Sequence, residues 1–159
     1  MIKTLMLLCM ACLASLAFAD GQSDCDAAAG TYLTGTIVKA PTFKPGSRLK
    51  GVELSHTHLA LTADQDGQTY DVAIDNVFAD GYDKARGRIP PPLDTLRVDD
   101  RLELCGQPYT TGIGIHWVHT NCGDPPTPSK PNGWVKKLNA DGSVSANYEG
   151  NTEYCHLWQ

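Results

Sequence analysis

Read for hydrophobic and polar alternation, the chain is mostly strand. Residues Tyr32 to Ala40 are rich in Thr, Ile, Val and Tyr and predict a first strand, broken by the Pro and Gly of 41–46. Val52 to Ala63 predicts a second strand and Gln68 to Asn76 a third. Tyr70, Val72 and Ile74 fall on one face of the third by a period of two. Asp64-Gln65-Asp66-Gly67 between them is turn chemistry, so the pair reads as a hairpin. Val77 to Arg88 is mixed, with room for a short helix, and Ile89-Pro90-Pro91-Pro92 is a rigid stop. Arg101 to Tyr109 predicts a fourth strand with Leu102 and Leu104 alternating against Arg101, Glu103 and Cys105; Ile115 to Asn121 predicts a fifth. Residues 123–132 read as a Pro-rich surface loop, while 133–138 and 144–158 have strand character that would add to the sheet. Asp20 to Gly30 is small and polar, a loose lead-in tied down at Cys25. Three strands, a short helix or irregular connection, then two more strands is the order of an OB-fold, so the expected fold is all-β: a small five-stranded OB-like barrel.

The first nineteen residues do not belong to that pattern. Lys3 opens a positive start, Leu5 to Leu16 is an uncharged apolar run, and Ala17-Phe18-Ala19 has the small residues that a signal peptidase reads. The run is shorter than the roughly 20 residues that span a bilayer, and Cys9 and Cys12 lack a good lipoprotein box. The expected organisation is a secretory signal over 1–19 and one domain over 20–159, periplasmic or secreted, with no membrane segment in the mature form. Without the leader, 12 basic face 18 acidic residues, a net charge of −6. That balance argues against nucleic acid as a partner, since such binding rests on neutralised phosphates.

Four cysteines remain after the leader: Cys25, Cys105, Cys122 and Cys155. An even count in an exported chain, with no C-x-x-C spacing, predicts two disulfides. Cys25–Cys105 with Cys122–Cys155 is the favoured pairing, and Cys105–Cys122 across a hairpin is the rival.

A series of motifs then occurs in one order: Ser55 to Leu61 with its His-Thr-His, Val72 to Asn76, Val98 to Tyr109, Gly114 to His119 with His-Trp-Val-His, and Gly133-Trp134-Val135. The series resembles the bacterial domain-of-unknown-function family 3465, whose members are small and often exported. They carry a His on the second strand, an Asn at the end of the third, and an H-W-T-H motif followed by G-W. The resemblance implies a site built from His56, Asn76, Gly106, Tyr109, His116, Trp117, His119 and Trp134, and it implies no activity. Asp75-Asn76 stands where the family has His-Asn, and Val118 replaces the Thr.

The residues suggest chemistry of their own. His56 and His58 share a face at a spacing of two, and with His116 as third ligand they would suit zinc or copper. His119 lies three residues from His116, on the opposite face of a regular strand, so joining the set would need a bulge or strand end at Val118. Against the metal stands the plainer reading of hydrogen-bonded histidines on a half-solvated sheet. Tyr70, Tyr109, Trp117 and Trp134 would pack the core or line a face for an extended ligand. Asp71, Asp75 and Glu103 are candidate carboxylates, and Lys84 to Arg88 is a local basic run. No complete catalytic set, phosphate loop or nucleophile elbow is present. The expected function is an exported binding or interaction module for a protein, glycan or metal, presenting His56, His58, Asn76, Tyr109, His116, Trp117, His119 and Trp134. The alternatives are a metal-dependent hydrolase, with His119 or Asp75 as general base, and an inhibitor or immunity protein acting through loops such as Pro125 to Asn132.

Overall fold

The computed structural model describes residues 20–83 and 87–159. The expected leader at Met1 to Ala19, and Lys84 and Arg86 of the basic run, lie outside the described residues. Eight strands form among the described residues: β1 (Thr31–Lys44), β2 (Arg48–Leu49), β3 (Val52–Glu53), β4 (His56–Ala63), β5 (Thr69–Asp75), β6 (Arg101–Pro108), β7 (Gly114–His116) and β8 (Trp134–Leu138). Five of them close a barrel in the order β1-β4-β5-β7-β6, with β6 pairing back onto β1. The β5–β7 pairing is parallel and the others in the barrel are antiparallel. This is the OB-like barrel expected from the sequence.

The long first strand makes closure possible. Its residues 31–36 pair with β6 and its residues 35–44 with β4, and register shifts between Ile37 and Lys39 and between Lys39 and Thr42 bend it from one partner to the other. The strand therefore runs through Pro41, where the sequence predicts a break. Pro41 sits in the second shift, outside the paired positions, so its missing N–H costs no ladder bond.

Inward positions match the alternation read from the sequence. Ile37, Leu59, Leu61, Val72, Ile74, Leu102, Leu104 and Ile115 fill the barrel, and Leu93 and Leu96 of the β5–β6 connection plug one end. Among its described residues that connection holds two 3-10 turns, Asn76–Phe78 and Leu93–Thr95, and no longer helix. The lead-in is not loose: residues 20–27 are helical. That helix packs Cys25 against Tyr32, Cys105 and Trp134.

The fifth strand departs most from expectation. It stops at His116, because Trp117 takes a left-handed φ of 52° and turns the chain away. The edge of β6 that it would have covered is taken by β8. Beyond β8 the only addition to the ladder among the described residues is a bridge from Leu138 to Val144, so 144–158 does not form the further strand expected. Both favoured disulfides are present, Cys25–Cys105 and Cys122–Cys155, and the rival pairing is not. Among the described residues no helix is long and apolar enough to cross a membrane.

Candidate functional site

The parallel contact between β5 and β7 covers only Asp71–Gly114 and Val72–Ile115. Beyond it the two chains diverge, and side chains bridge the seam. Asp75, at the end of β5, receives His56 Nε2 from β4 at 2.5 Å on one oxygen and His119 Nε2 at 3.1 Å on the other. The strand end at Trp117 is what brings His119 round to the side of His56. The sequence placed the required irregularity one residue later, at Val118.

His119 is buried, 3% exposed, with Nδ1 donating to the Thr120 carbonyl at 2.7 Å. Both ring nitrogens thus face acceptors, an arrangement that the imidazolium form satisfies in full. Burial alone would push the Asp75 carboxyl up, but the hydrogen bonds from His119 and His56 outweigh it and hold the group well below the carboxylate range. His56 is shifted up by its hydrogen bond to Asp75, against the opposing effect of burial. Its side chain stays 36% exposed.

These groups lie at a cavity of about 490 Å³. Its walls come from the β3–β4 connection (Leu54, Ser55), the turn after β5 (Val77, Phe78), the chain after β7 (Trp117, His119) and the C-terminal turn (Cys155, Trp158). Four rings form a column through them. Trp158 stacks on Phe78 at 5.4 Å, Phe78 on His119 at 3.9 Å with 8° between planes, and Trp117 tilts against His119 at 4.9 Å. The Cys122–Cys155 disulfide joins two residues of the lining. Among the described residues two buried polar groups have no partner: Trp117 Nε1, and both oxygens of Glu149. The Glu149 backbone carbonyl accepts from Thr120 N beside the site. Burial drives the Glu149 carboxyl well above its usual range, helped by the charges of Asp75 and Asp80.

The other expected site residues are dispersed. His58 and Tyr109 lie on the outer face of the barrel, where both bond the Asp71 carboxylate, at 3.1 Å and 2.5 Å. His116 packs edge-on against Tyr109 at 5.4 Å and is shifted down chiefly by burial. Two members of the expected ligand-binding set are buried and bonded within the barrel. Asn76 is fully buried, accepting from Thr57 Oγ1 at 2.6 Å and donating to Ser55 Oγ at 3.0 Å, and so clamps the end of β5 to β4. Trp134 is buried against the Cys25–Cys105 disulfide, with Nε1 donating to Glu103. Glu103 is itself buried, contacting Tyr32 and Lys136, so it shares no cleft with Asp71 or Asp75.

The expected metal ligands point apart. Among the described residues no three His, Cys, Asp or Glu side chains are grouped to hold an ion. His58 is turned to Asp71 and His56 to Asp75, and the general-base role sketched for His119 or Asp75 would need atoms that the two spend on each other. Phe78, Trp158 and the Cys122–Cys155 link at the cavity were not singled out as site residues from the sequence. Comparison with known proteins finds no matching family model, no matching curated protein and no matching solved structure.

Proposed function

We propose that the chain is an exported binding module that takes a small, largely apolar ligand in the cavity beside the His56–Asp75–His119 bridge. The observation that carries this reading is the cavity itself. Its volume falls within the roughly 300–1,000 Å³ of small-ligand sites, and apolar walls surround a few placed polar groups, as in such sites generally. Two uncompensated buried groups at or beside it, Trp117 Nε1 and Glu149, add weight, since such groups concentrate at functional places. His56, Trp117 and His119, three of the residues that carry the family resemblance, line this cavity. Export is supported by the leader pattern and by two disulfides, which persist in oxidising compartments.

The test is a fragment screen on the oxidised protein, read by thermal shift and by NMR of the His56, Trp117 and Trp158 rings. A true ligand stabilises the fold, by about 2.7 kcal/mol at a hundredfold excess over its Kd. Its shifts saturate at those three rings and not at His58 or Tyr109. A diverse library that yields no saturable ligand there would overturn the reading.

A further inference from the structure

We propose that the ligand of this cavity is a planar aromatic molecule; the proposal rests on the binding reading above. The charged groups of the lining are largely spent on one another. Both Asp75 oxygens are taken by His56 and His119. His119 spends its other nitrogen on the Thr120 carbonyl. Asn121 Nδ2 donates to the Asp124 carbonyl. Ser55 Oγ accepts from Asn76 and Thr120 Oγ1 from Cys122 N, each keeping its own O–H to donate. His56 commits Nε2 to Asp75 and keeps Nδ1, and Trp117 Nε1 has no partner. Lys130 and Asp124 stand exposed at the rim.

A sugar asks for more than this. Each of its hydroxyls gives up water on entry and asks for a partner, and a donor or acceptor left buried without one costs about 1–3 kcal/mol. His56 Nδ1, Trp117 Nε1 and the Ser55 and Thr120 hydroxyls, set singly among apolar walls, meet only part of that demand. A phosphorylated ligand fits poorly as well, because the lining holds one lysine and no arginine.

The walls do suit a flat ring. Phe78, His119, Trp117 and Trp158 form a column whose adjacent planes differ by 8°, 18° and 33°. The column ends at Trp158, which is 52% exposed although it is among the largest apolar side chains in the protein. A terminal ring packed on one neighbour and open to solvent is a place where a further ring can stack. Such a contact is worth about 0.5–1.5 kcal/mol beyond the area it buries. A hydroxyl or carboxylate on the ligand ring would then meet His56 Nδ1.

The experiment uses three probes on the intact oxidised protein: 2-naphthol, its saturated counterpart decahydro-2-naphthol, and maltose. Each is titrated by NMR on the parent, Trp158→Ala and Trp158→Phe, with barrel methyl signals reporting the fold. We expect 2-naphthol to saturate at His56 and Trp158, with decahydro-2-naphthol at least tenfold weaker and maltose silent. Trp158→Ala weakens 2-naphthol about fivefold, the equivalent of one stacking contact, and Trp158→Phe restores most of the loss. Equal binding of the saturated alcohol, or saturation by maltose, overturns the aromatic assignment while leaving the cavity a binding site. Silence of all three probes also overturns it, and the fragment screen then decides the binding reading on its own.

Discussion

At the scale of single residues, Asp75 holds the site together. Its carboxylate is the common acceptor of two rings from different strands, and its side chain is 29% exposed. Asp75→Asn keeps the shape but sets an amide N–H against one of those nitrogens, and we expect a loss of about 2 kcal/mol, the cost of unpairing a largely buried polar group. The His56 titration midpoint should move down at the same time, because the hydrogen bond that raises it is gone. Urea denaturation and an NMR pH titration of the His56 ring measure both; an unchanged midpoint would show that His56 is not governed by Asp75. The sequence pointed to His56, His119 and Asp75 individually. It did not show that they converge, because the bend that unites them is a left-handed Trp117, a conformation for which that residue has no intrinsic preference. The burial of Asn76 was hidden for a related reason. A buried amide clamp and an exposed binding amide look the same until burial is known.

At the scale of elements, the route of the chain after β7 depends on Gly133. A Cβ placed there would sit 2.4 Å from the Cys105 carbonyl oxygen and 2.5 Å from that of Trp117. Both contacts are backbone, so no rotamer relieves them. Gly133→Ala should cost about 1–3 kcal/mol, the usual range for overpacking, and should loosen the His119–Asp75 contact, seen as a shift of the His119 ring signals. Intact His119 signals would mean that β8 gives way instead. The C-terminal turn is held differently. Its link to the body is the Cys122–Cys155 disulfide together with buried Leu157 and the Phe78–Trp158 stack. Replacing both cysteines by serine opens a loop spanning 33 residues of sequence separation, for which chain entropy gives a loss of roughly 3.5 kcal/mol. We expect the far-UV spectrum of the barrel to survive and the near-UV signal of Trp158 to fall; an unchanged near-UV spectrum would show that packing alone seats the turn. Four of the five barrel strands were legible from their apolar and β-branched runs and the turn residues between them; β4 alternates cleanly, whereas β6 is buried at every position from Leu102 to Gly106. The fifth was legible only to His116, since what ends it is long-range: β8 competes for the same edge of β6.

At the scale of the whole molecule, the closed barrel holds charged groups whose pH responses oppose one another, and the sum is a signature of the fold. Asp75 sits below its ordinary value of 3.8, so the stability it contributes is complete above that pH and is lost as pH falls through the depressed value. Glu149 is raised well above 4.5, so the folded state keeps a proton that the unfolded chain releases, and stability declines as pH climbs from 4.5 through the raised value. His56 is raised above 6.5, and its contribution fades as pH rises past that point. All three are favourable together only in a narrow acidic window near 4; above it Glu149 and His56 lower stability, while His116, held below 6.5 chiefly by burial, adds stability as pH rises toward 6.5. Replacing Glu149 by Met, which has a similar length and no group to ionise, removes one cause of that decline. The gain should be about 1–3 kcal/mol at pH 8, the cost of a buried unpartnered polar group, and clearly smaller at pH 4. His56→Ala should flatten the curve only above pH 6.5. Chemical denaturation at pH 4, 6 and 8 on the parent and the two variants separates the contributions. A Glu149→Met gain independent of pH would mean that the Glu149 carboxyl does not remain protonated in its pocket. In that event the uncompensated group that helps single out this end of the barrel as the functional one would lose its weight.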